Sequence, residues 1–128
     1  MSEEIYYRLV SDLRNLKLPV DEVELHIRPF SKTYYGRYFP SHESDEKPRI
    51  FIYPFTNKKN TECDSYNQIV STAIHEMVHH LQYTSPNFTR YKGIMHDTQF
   101  WQLYHHYMNR AIKLEIVEVR TYEKYATL

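Results

Sequence analysis

SYNQIVSTAIHEMVHHLQY, residues 65–83, is the stretch on which the rest of the chain turns. Ser65 and Gln68 stand at the spacing of a capping box, in which the serine hydroxyl receives an orphan backbone N–H at a helix start. Val70, Ile74, Val78 and Leu81 follow at helical spacing, so the segment predicts an amphipathic helix running to about Tyr83. That helix carries His75-Glu76-Met77-Val78-His79, an HExxH motif. Residues four apart lie one above the other on a helix face. Two imidazoles so placed can converge on one zinc at about 2.0–2.1 Å. The glutamate between them points to the open side of the metal, where it can take a proton from water. The eight histidines and eleven glutamates of the chain would produce this motif by chance in roughly 4% of random arrangements. Its position within an independently marked helix lowers that figure.

A catalytic zinc takes a third protein ligand and keeps a position for water. The chain offers His80, His96, Asp97, His105, His106 and Glu115. His80 is turned about 100° from His79 around the helix, which assigns it to the surface or to the surroundings of the site rather than to the metal. His105 and His106 lie well inside a later helical stretch, with no local mark of ligation. Glu115 lacks the NExxSD context that accompanies a glutamate ligand. His96 differs because it immediately precedes Asp97, a good N-cap, and lies four residues before Phe100 on a stripe that must face the core. The expected ligand set is therefore His75, His79 and His96, with Glu76 as the catalytic base and one zinc per chain.

Upstream, Ser2 followed by Glu3 and Glu4 reads as an N-cap with acids in the first helical turn. Ile5, Leu9, Leu13 and Leu16 then recur at helical spacing until Pro19. Val23, Leu25 and Ile27 alternate with polar residues, the pattern of a half-buried strand. Tyr34–Phe39 reads as a second strand, with Gly36 a bulge or a point of close approach, and Arg49–Phe55 as a third. Downstream, Pro86 and a loop containing Gly93 precede a helix from about Thr98. Phe100, Tyr104, Tyr107 and Ala111 form its inward stripe. LEIVEV, from Leu114, fits a strand or a continued helix equally. The expectation is one α+β domain over residues 1–128: an N-terminal helix, a three-stranded antiparallel sheet, the HExxH helix and a further C-terminal helix.

Composition bounds the rest. With 41% hydrophobic and 25% charged residues the chain is that of a folded domain, unusual only in its 13 tyrosines and two glycines. Sixteen basic residues balance sixteen acidic ones, so net charge gives no support to association with DNA or a membrane. Lys58 with Lys59, and Arg90 with Lys92, are small enough clusters to read as solvated surface. Cys63 is the single cysteine, which excludes an internal disulfide or a CxxC metal site and leaves a buried or idle thiol. The N-terminus lacks the pattern of a signal peptide, and no run approaches 18 apolar residues, so the expected compartment is the cytoplasm.

HEMVHH at 75–80, followed by GIMHDTQFW at 93–101, resembles the SprT-like (Spartan-type) zinc metallopeptidases, whose pattern is HExxH, a loop of similar length, then H-G-x-x-F leading into a helix. VELHIRPF and YYGRYFP upstream resemble that family's strands, so the likeness covers roughly residues 20–110. It implies a zincin-like minimal fold, zinc on His75, His79 and His96, and Glu76 as base. Asp97 departs from the family's usual glycine. The implied activity is a zinc-dependent endopeptidase that hydrolyses peptide bonds of a protein or peptide substrate, recognised in extended form along a sheet edge. Tyr83, Tyr104 and Tyr107 are the nearest tyrosines that could stabilise an oxyanion. Two other functions compete: a non-catalytic zinc-stabilised binding module, and a nucleic-acid-associated protein whose tyrosines stack bases.

Overall fold

The computed structural model describes residues 2–43, 45–85 and 96–118. Its elements run α1 (Ser2–Asn15), a 3-10 turn (Val20–Glu22), β1 (Glu24–Ile27), β2 (Gly36–Phe39), β3 (Arg49–Ile52), α2 (Tyr66–Thr84) and α3 (Thr98–Lys113). Pro86, Arg90, Lys92, Gly93 and Val119, on which expectations were placed, lie outside the described residues.

Ser2 is the first residue of α1 rather than its cap. The helix closes where its C-terminal carbonyls find partners beyond it: Lys17 N–H donates to Arg14 C=O and Leu18 N–H to Leu13 C=O. This wrap requires a left-handed residue, here Lys17 at φ 66°. α3 ends the same way, with Ile116 N–H donating to Ala111 C=O and Glu115 at φ 60°. LEIVEV therefore begins with a helix stop, and its described residues through Glu118 are neither helix nor strand.

The sheet order is β1-β3-β2, with β3 parallel to β1 and antiparallel to β2. This corrects the expected antiparallel sheet. The strands do alternate in direction along the chain, but the connection over residues 28–35 carries β2 two strand positions from β1, leaving a gap between them. β3 then returns into the gap, where it lies beside a strand of its own direction.

Alternation assigns the faces. Leu25, Ile50 and Ile52 point into a core shared with Leu9, Leu13, Val70, Ile74, Met77, Val78, Phe100 and Tyr104. The opposite face carries arginines lying over rings: Arg28 and Arg49 over Phe51, and Arg37 over Tyr34 and Phe39. On α3 the buried stripe is Phe100, Tyr104, Met108 and Ala111, with Tyr107 only half-buried beside it. α2 packs against β2, β3 and α3. No helix among the described residues is long and apolar enough to cross a membrane.

Candidate metal centre

Ser65 caps α2, its hydroxyl accepting from Gln68 N–H at 3.2 Å, and this fixes the helical phase on which the motif depends. His75 and His79 follow one turn apart, with ring centres 5.0 Å from each other. Asp97 caps α3, accepting from Phe100 N–H at 2.8 Å, and presents the preceding His96 to the pair. His96 Nε2 lies 3.0 Å from His75 Nε2 and 3.2 Å from His79 Nε2. Ligand atoms of all three lie within 4.8 Å of one another.

The spacing has a chemical meaning. A hydrogen bond between imidazoles needs a proton on one nitrogen and a lone pair on the other, so a three-way meeting can satisfy only one pair well. A divalent cation accepts all three lone pairs at once. Two nitrogens on a tetrahedral zinc stand roughly 3.3 Å apart, close to the separations found here. The donor set fits a metal ion of the imidazole-binding kind: zinc, copper, iron or nickel.

Burial tunes the donors the same way. It pushes His75 down to about 3, helped by the neighbouring His79 and His96, and it lowers His96 as well. Neutral imidazoles are the ligating form. Phe100, fully buried, forms the floor, its ring centre 4.8 Å from those of His75, His79 and His96 alike.

Glu76, beside His75 in the cleft lining, turns its Cγ and Oε2 toward Gly36 of β2 and is only 6% exposed. Burial pushes its carboxyl up to about 8, against a downward pull from Arg37. A cation at the histidines pulls in the same direction as Arg37. Strand and helix enclose a cleft of about 410 Å³ between Gly36, Arg37 and Tyr38 on one side and His75, Glu76 and His79 on the other, with His96 at its wall.

The remaining candidates fall outside this cluster. His80 is buried rather than on the surface: Nε2 meets Glu22 Oε1 at 2.8 Å and Nδ1 meets the Tyr38 hydroxyl at 2.9 Å. His105 packs beside Trp101 and Tyr104, His106 beside Tyr107, and Glu115 forms the stop of α3. Among the three tyrosines, Tyr83 lines the cleft, Tyr104 is fully buried in the core and Tyr107 is off the cleft. Cys63 is half-buried, and burial and Asp64 raise its thiol. Sequence reasoning missed Arg37, Tyr38 and Gln82 as parts of the site. Arg37 and Tyr38 reach it across tens of residues of chain, and only Gln82, three positions after His79, had a periodic signal.

Compared with known protein families, with curated proteins and with solved structures, the chain matches none.

Proposed function

We propose that this protein is a zinc-dependent endopeptidase of the SprT-like zincin kind. The observation that carries the reading is the meeting of His75, His79 and His96 at one point, with the Glu76 carboxyl in the same cleft. Zinc at such a site supplies a Lewis acid for the scissile carbonyl and makes water a competent nucleophile near neutral pH. Glu76 takes the proton of the attacking water and delivers it to the leaving amine. A carboxyl in the same cleft as the three imidazoles is within reach of both halves of that transfer. β2 has β3 on one side only, so its other edge can pair with an extended peptide lying along the cleft.

The test is zinc content in protein purified without a metal-affinity tag, followed by proteolysis of an unfolded protein substrate. About one zinc per chain is expected, retained by His105→Ala and lost by His96→Ala. Glu76→Gln should keep the zinc and lose at least about 100-fold in rate. A wild type that takes up no zinc overturns the reading.

The arginines stacked on Phe39, Phe51 and Tyr34 favour a second reading, a zinc-stabilised module without turnover that associates with nucleic acid through that sheet face. Zinc retention, salt-sensitive binding of a single-stranded oligonucleotide and no hydrolysis of any unfolded substrate would select it.

A further inference from the structure

His75 and His79 are held by the helix that carries them, but His96 is exposed and stands just outside α3. Something must keep it in register with α2. The side chain placed to do so is Gln82. It is only 6% exposed, borders the cleft and lies three residues after His79 on the same side of the helix. Its carboxamide N–H donates to Asp97 Oδ1 at 3.3 Å, and that oxygen also accepts the capping bond from Phe100 N–H at 2.8 Å. A carboxylate oxygen has lone pairs for both. Asp97 is thus bonded to its own helix and to the neighbouring one, and the residue it directly follows is His96.

We infer that Gln82 and Asp97 form a clamp that pre-positions His96 as the third metal ligand, which makes Gln82 a positioning residue for the metal centre. The inference rests on the zinc reading above. The bond joins the two elements that contribute ligands, α2 and the start of α3. It lies beside the metal point rather than at it, so it holds His96 without competing for the ion. Before metal arrives, the clamp removes conformational freedom that binding would otherwise have to remove, and affinity gains by that amount. A buried glutamine serving only to fill space would be replaced by leucine without consequence for the metal.

Zinc affinity is the direct test. Trp101, the only tryptophan, lies 5.9 Å from His96 and 6.2 Å from His75 between ring centres, so its fluorescence can report zinc titrated against a competing chelator. Gln82→Leu is expected to weaken zinc binding about 10-fold while the metal-free protein melts within a few degrees of wild type. Asp97→Ser keeps a capping hydroxyl but is too short to cap and reach Gln82 together, and should show a similar loss. The double variant should lose no more than either single one, because one bond is broken in all three. The visible bands of the cobalt-loaded variants should shift, since they report ligand geometry. Wild-type zinc affinity in both single variants, or losses that add in the double variant, would sink the clamp and leave the metal site standing. No zinc uptake by the wild type would sink both.

Discussion

Gly36 of β2 lies against Glu76 of α2 so closely that a Cβ at position 36 would stand 3.1 Å from Glu76 Cγ and 2.7 Å from Thr72 Cγ2. The second distance is shorter than side chains tolerate. Hydrogen at this position is therefore what lets the edge strand approach α2 and form the cleft wall. Gly36→Ala should cost about 1–3 kcal/mol as overpacking, read as a lower urea midpoint. It should also push on the Glu76 side chain, so the proposed peptidase activity should fall further than zinc affinity does. Equal losses in both would mean that the whole helix moved, not the carboxylate.

His80 tests the division between ligands and their surroundings. It is buried to 1% exposure and bridges Glu22 at 2.8 Å to Tyr38 at 2.9 Å. His80→Ala leaves a cavity and takes both bonds away, at an expected cost of about 2–4 kcal/mol. Zinc stoichiometry should remain that of the wild type. Metal loss in a variant that still folds would contradict the assignment of His80 to the support of β2.

What the sequence made legible follows the range of the interactions. The α2 cap, the HExxH face and the Asp97 cap with His96 before it all rest on contacts within a few residues, and each appears in place. Sheet order does not. Nothing in the alternation of Val23 to Ile27 says that β3, and not β2, will pair with it, because pairing is decided by where the 28–35 connection travels. The sequence left His80 open between the surface and the surroundings of the site for the same reason. Its neighbours in sequence give only its angle on the helix, while its partners Glu22 and Tyr38 stand 58 and 42 positions away along the chain. The glycine-poor composition hid both helix ends, since the left-handed stops are occupied by Lys17 and Glu115.

That last feature can be exploited. A non-glycine residue in the left-handed region costs roughly 1–2 kcal/mol, part of which glycine returns as unfolded-chain entropy. Lys17→Gly should raise stability by about 0.5–1 kcal/mol, measured by urea denaturation, with zinc affinity unchanged because α1 holds no ligand. A destabilised variant would show that the Lys17 side chain contributes more than its backbone costs.

The behaviour in alkali follows from two tyrosines. Tyr66 donates to Asp12 Oδ2 at 2.5 Å, and burial together with that bond raises its phenol well above the ordinary value of 10.0. Tyr38 is pushed up to about 12 by burial, with Tyr83 and Glu22 adding to it. A group with a raised folded-state pKa holds its proton more tightly when folded. Its stabilisation is complete below the unfolded value and is lost as pH climbs toward the folded one. Above the range in which Glu76 titrates, the urea midpoint should therefore hold to about pH 10 and fall between pH 10 and 12. Tyr66→Phe should be less stable than wild type at pH 8 by about 1–2 kcal/mol, the worth of a half-exposed bond to a carboxylate. Above pH 10 the gap between the two proteins should narrow, because wild type is then losing what the variant never had. A gap that stays constant from pH 8 to 12 would mean that Tyr66 ionises equally in both states, and the Asp12 bond would not be the source of its stabilisation.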